Sequence, residues 1–294
     1  MGTKLLHIGL NKCGSTFLQR EIFPEIEKET KIKIIQKNEI HDATKTKFHP
    51  LEDKKDFYKS LPDSFIISFE AFFSQSCEFS LIQKTFYYIT KNFSKDTTIL
   101  LVIRNPYDYL NSSYVQSVAS AIDLRKPEEF FYVENNNDPR KNGKYNLYNF
   151  DYKFLISLYE SYFKKVIVVK YEDINELSFL KKIFNIDDIF LEKLKKKKNN
   201  THNKSISKTS VNIVMFLNKF IDLTKYQRFF TTYTKPKDHK LKRIFNKILS
   251  LFLLRVFLQE IIDKLFPYKK YKINKKFIPI NIDKLEEDYK NLKP

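Results

Sequence analysis

The chain has 294 residues, 42 % hydrophobic and 30 % charged, which excludes a fibrous chain and a membrane bundle and suits one large α/β domain or one domain with an appended helical region. Its formal net charge of +18 points to an anionic partner: a polyanion, an anionic small molecule or an acidic membrane surface. A composition rich in Lys, Asn, Ile, Phe and Tyr also fits an AT-rich genome, so many lysines are read as solvated surface.

Two cysteines, Cys13 and Cys77, suggest a reducing compartment. The five histidines are scattered, whereas a structural zinc needs clustered ligands, so no metal is expected. The stretch before the first strand is too short and too polar for a signal peptide, and no apolar run reaches the roughly 18 residues of a spanning helix. A cytoplasmic protein is expected.

In chain order, KLLHIG at 4–9 reads as a buried strand, followed by a helix over 15–28. A short strand is predicted at 32–36, a polar loop with a short helix over 41–60, and a second core strand, FIISF, at 65–69, ending at Glu70. Residues 79–93 have helical spacing. TILLVI, 98–103, is the clearest core strand and leads through RNPYDYL into a helix over 107–120. The stretch 134–146 is a loop by composition, 148–163 is helical, and VIVVKYED, 166–173, is a strand ending in two acids. Strands alternating with helices predict a P-loop-like α/β fold, a mostly parallel sheet flanked by helices. After the basic run near 195 the character changes to two apolar-periodic segments, 208–230 and 241–266. The expected division is an α/β domain over 1–200 and a helical C-terminal region over 201–294.

The first chemical signal is GLNKCGST, 9–16, between a strand and a helix. A helix start offers N–H groups and the positive end of the helix dipole to an anion. Gly14 permits close backbone approach, Ser15 and Thr16 are expected to cap the helix and donate to phosphate oxygens, and Lys12 adds a mobile charge. The nucleotide-kinase loop GxxxxGK[ST] shares the glycine spacing but wants its lysine where this chain has Ser15. A phosphatase loop built on Cys13 wants an arginine where this chain has Gln19. An ordinary strand-to-helix turn is the plain alternative.

The second signal is RNPYDYLNSSY, 104–114, at the exit of the strongest strand, the sheet edge where open α/β folds bind ligands. Arg104 suits bidentate phosphate binding, Pro106 suits the first helical position, and Ser112 lies about two turns into the helix. Together the two signals suggest two anionic groups of one nucleotide.

HIGLNKCGSTFLQ and IRNPYDYLNSSY, in this order, resemble the sulfotransferase superfamily, whose donor is 3′-phosphoadenosine 5′-phosphosulfate (PAPS) and whose product is adenosine 3′,5′-bisphosphate (PAP). The resemblance covers residues 4–195, and the tail ending IPINIDKLEEDYKNL is similar to bacterial members. It implies that Lys12, Cys13, Gly14, Ser15 and Thr16 surround the 5′-phosphosulfate and that Arg104 and Ser112 hold the 3′-phosphate. Cys13 departs from the family's serine or threonine, although backbone donors survive the change. Lys12 is the expected catalytic cation. The strand end SFEAFF resembles the glutamate-using branch that acts on carbohydrates and protein tyrosines, which implies Glu70 as the base, its pKa raised beside an apolar run. His7 reads as a core histidine, and His41 and His49 are weaker candidates for the base. Glu172 and Asp173 resemble a structural YED at a strand end, and Lys195 to Lys198 read as a solvated basic run or a border of the 3′-phosphate.

The expected reaction is sulfuryl transfer to a hydroxyl, with a glycan as the favoured acceptor and a tyrosine or small alcohol as the alternative. A basic nucleic-acid-binding α/β protein is the alternative outside enzymes, with a steep salt slope and no dependence on Lys12. For 241–266, packing on the catalytic domain, a subunit interface and peripheral contact with an anionic membrane all remain open; oligomeric state is not legible.

Overall fold

In a computed structural model of the protein, the described residues are 2–9, 12–35, 39, 55–69, 79–131, 150–197, 205–220, 222–226, 261–278 and 281–292. Strand β1 is Lys4–Gly9. Helix α1 is assembled from Ser15–Phe17, a π-helical Leu18–Ile22 and Phe23–Thr30. Strand β2 (Lys33–Ile35), helix α2 (Lys55–Lys59), strand β3 (Phe65–Ser68), helix α3 (Phe79–Asn92) and strand β4 (Thr98–Ile103) follow. Helix α4 (Pro106–Ala119) and the short α5 (Pro127–Phe130) come next. Helix α6 (Tyr152–Glu160) precedes strand β5 (Val166–Lys170) and a 3-10 turn, Tyr171–Glu176. The chain continues with α7 (Phe179–Ile183), α8 (Asp188–Lys195), α9 (Lys208–Leu217), α10 (Asp263–Leu265) and α11 (Ile282–Asn291).

The expected α/β fold is present. Among the described residues five strands form one parallel sheet, in the order β2-β3-β1-β4-β5. Parallel strands covered on both faces need apolar residues at every position, and β4 is buried along its whole length. The central β1 pairs with β3 on one side, His7 opposite Ser68, and with β4 on the other, Gly9 opposite Val102. Some boundaries differ from the sequence reading. The last strand stops at Lys170, because Tyr171–Glu176 winds into the 3-10 turn that buries Ile174. The apolar-periodic segment 208–230 opens with α9, Lys208–Leu217, and then has a separate 3-10 turn at Leu223–Tyr226.

The chain divides into two compact units that do not follow chain order. One holds residues 1–106, 136–202 and 280–294, and contains the sheet; the other holds 107–135 and 203–279. In the second unit, α4 carries a buried Asn111 whose amide donates to the Tyr271 carbonyl and accepts from the Ile273 N–H, 2.8 and 2.9 Å. The Tyr107 hydroxyl donates to the Ile273 carbonyl at 2.7 Å, and Asp263 accepts from the Ser210 hydroxyl at 2.6 Å. A buried polar helix face is tolerable because its groups are paired in this way. Among the described residues no helix is long and apolar enough to cross a membrane. Of the segment 241–266, on which the membrane reading rests, residues 241–260 lie outside the described residues.

Candidate active site

The strand order puts a switch point beside β1. The connection leaving β1 runs toward β2 on one side, and the connection leaving β4 runs toward β5 on the other. In parallel open sheets the carboxyl ends of two such strands border the ligand crevice. The two sequence motifs are the residues that follow these two strand ends, and the structure joins them directly. Arg104 Nη1 donates to the Lys12 carbonyl at 2.8 Å.

Among the described residues of the turn after β1, two are left-handed. Lys12 has φ 67° and Gly14 has φ 79°. A left-handed residue with a side chain is uncommon, and such backbone conformations concentrate where a loop is shaped for a ligand. Gly14, not Ser15 or Thr16, is the N-cap of α1, and among the described residues no side chain caps the helix. This corrects the expected capping role. The Ser15 hydroxyl is buried and finds no partner among the described residues. Cys13 is also buried.

Arg104 is held on three sides. Its guanidinium lies 4.5 Å over the Tyr171 ring, Nη1 is bound to Lys12, and its own carbonyl accepts from the Tyr152 hydroxyl at 2.7 Å. Its Nε is buried without a hydrogen-bond acceptor among the described residues. Ser112 is buried on α4, in the second unit, while Lys12 through Thr16 and Arg104 belong to the first. Glu70, His41, His49 and Lys198 lie outside the described residues. Lys195 pairs with Glu192 at 2.8 Å and Lys197 with Glu25 at 3.0 Å. Among the described residues no group of His, Cys, Asp and Glu is arranged to hold a metal ion.

Residues 2–232 match the sulfotransferase domain family. The chain belongs to that family. No curated protein matches the chain. As a sulfotransferase it moves a sulfuryl group from PAPS to a hydroxyl-bearing acceptor. The turn has the chemistry such a donor requires. Buried polar groups are normally paired, and an unpaired one costs about 1–3 kcal/mol. The Ser15 hydroxyl and Arg104 Nε, both buried and unpaired among the described residues, are therefore groups whose partner an anionic nucleotide would supply.

Several residues around the candidate site were given no role there by the sequence. Tyr171 supplies the platform under Arg104, and Tyr152 reaches it from α6, Arg104 lying 48 positions earlier. Glu172 accepts from the Tyr289 hydroxyl on α11. Only YED at a strand end hinted at any of this.

Gly14 is tightly enclosed. A Cβ there would lie 2.5 Å from Ile174 Cδ1 and 3.4 Å from the Tyr171 ring. With the left-handed backbone adding its own penalty, Gly14→Ala is expected to cost about 1–3 kcal/mol of stability. It also pushes on the ring beneath Arg104. Urea unfolding measures the first effect; an unchanged midpoint would mean that the turn does not need glycine.

His7 is the expected core histidine. Its Nδ1 lies 2.7 Å from Ser68 Oγ, and its ring meets Phe23 edge to face, centroids 5.9 Å apart. Gln19 Nε2 spends its protons on the Ser68 carbonyl and hydroxyl, 3.1 and 3.0 Å, so this buried cluster ties α1 to β3. Burial pushes the His7 pKa down from 6.5 to about 3. The unfolded chain therefore binds the extra proton first. Stability contributed by neutral His7 is complete above about 6.5 and is lost as the pH falls toward about 3. The maximum slope is about 1.4 kcal/mol per pH unit. His7→Gln is expected to remove this component, so its urea stability should fall less between pH 7 and pH 5 than that of the wild type. Parallel losses would refute the assignment.

Proposed function

We propose that the protein sulfates a carbohydrate hydroxyl, with the donor held by Lys12, Cys13, Gly14, Ser15 and Thr16 at its 5′ end and by Arg104 and Ser112 at its 3′-phosphate. The hydrogen bond from Arg104 to the Lys12 carbonyl supports the donor assignment, because it joins two motifs distant in sequence. The donor supplies an activated sulfuryl group. Gly14 and the start of α1 orient the phosphosulfate. Lys12 stabilises charge on the bridging oxygen as its bond to sulfur breaks. Glu70, two positions beyond β3 in the sequence, takes the proton of the acceptor hydroxyl as the new sulfur–oxygen bond forms.

The carbohydrate acceptor rests on the resemblance of SFEAFF to the glutamate-using branch. A tyrosine or small alcohol is the alternative acceptor. Two assays separate these readings. PAP is expected to raise the melting temperature clearly more than ADP, since a ligand of the folded state stabilises it. Equal shifts would indicate generic polyanion binding and favour the nucleic-acid alternative. Transfer of labelled sulfate is then compared on oligosaccharides and on tyrosine peptides. Labelling of the peptides alone would overturn the carbohydrate assignment.

A further inference from the structure

Helix α11 lies beyond the matched residues 2–232, yet in the sheet-bearing unit its side chains converge on the residues that flank Arg104. Glu286 accepts from Asn105 Nδ2 at 3.0 Å, immediately after Arg104 in the chain. Tyr289 is buried, and its hydroxyl donates to Glu172, immediately after the Tyr171 platform. The Tyr289 ring packs against Tyr152, centroids 5.9 Å apart, and Tyr152 is the residue that donates to the Arg104 carbonyl. Lys170, immediately before Tyr171, lies over the Tyr289 ring at 5.2 Å and donates to the Lys290 carbonyl at 3.2 Å. Lys153, the neighbour of Tyr152, pairs with Asp288 at 3.2 Å.

Arg104 has no acidic partner among these contacts. Its orientation depends on a carbonyl, a ring face and the backbone on either side of it. A guanidinium placed a fraction of an ångström off loses much of a bidentate phosphate contact, so whatever fixes that backbone fixes the affinity.

We propose that α11 is a positioning element for the 3′-phosphate site, with Tyr289 as its central residue and the Asn105–Glu286 bond as its second anchor. Tyr289 acts through Tyr152 and Glu172 and does not itself touch the nucleotide. This rests on the reading of Arg104 as the 3′-phosphate ligand.

The test compares two probes, PAP and adenosine 5′-phosphate, which lacks the 3′-phosphate. Binding of each is measured by calorimetry on the full chain. In the wild type PAP should bind the tighter, and Arg104→Ala should abolish most of that preference; if either fails, the Arg104 reading fails. Given that preference, Tyr289→Leu is expected to weaken PAP about tenfold while changing adenosine 5′-phosphate less than twofold. Loss of both ligands in equal measure means a merely structural role and overturns the proposal, as does unchanged PAP affinity. Should Tyr289→Leu fail to fold, Glu286→Ala decides. A selective loss for PAP of about threefold supports the proposal, and no selective loss overturns it.

Discussion

Arg104→Lys is expected to weaken PAP binding on the order of a hundredfold, about 2.7 kcal/mol. A lysine keeps the charge, so a small effect would follow if only charge mattered. The structure gives the guanidinium three tasks. Nη1 holds the Lys12 carbonyl, the planar face rests on Tyr171, and buried Nε, unpaired among the described residues, remains for an anion. An ammonium is a single point of charge without a plane to stack and without separate edges. It can serve the carbonyl or the anion. The expected pattern is a large loss of PAP affinity with a smaller loss of unfolding free energy. Calorimetry and urea unfolding on the same preparation separate the two. If Arg104→Lys retains PAP affinity within threefold, the planar group is not needed and the 3′-phosphate assignment loses its support.

Lys12→Gly is expected to lower kcat by about 10²–10³ with little change in stability. Glycine is the informative replacement. Lys12 has φ 67°, a conformation glycine adopts at no steric cost, and its carbonyl remains available to Arg104. The variant therefore removes the ammonium while sparing the turn. A charge placed to stabilise the leaving phosphate acts mainly in the transition state, so kcat should fall much more than PAP affinity. If PAP affinity falls as far as kcat, Lys12 binds the ground state as strongly as the transition state. If kcat is unchanged, Lys12 is not the catalytic cation.

The composition and local pattern of the chain determined the sheet. A short apolar run such as TILLVI, bounded by turn residues and partly β-branched, suits a strand covered on both faces, and each described strand lies within a run predicted as one. Glycine and lysine between the first strand and the first helix marked the proposed anion turn, because the residues proposed to hold the phosphosulfate there are consecutive. Arg104 stood out in the sequence by its place at the end of the strongest strand. Tyr171, Tyr152 and Tyr289 were not legible. Each lies far along the chain from the residue it supports, and a tyrosine's spacing says nothing about where its hydroxyl ends up. The capping of α1 was misread because Ser15 and Thr16 have the right chemistry for a cap, while the left-handed turn assigns that position to Gly14. Order along the chain thus determined which residues could form an anion site. Only the tertiary structure decided which of them meet, because parallel pairing of β1 with β4 places two loops side by side that are separated by the intervening β2 and β3.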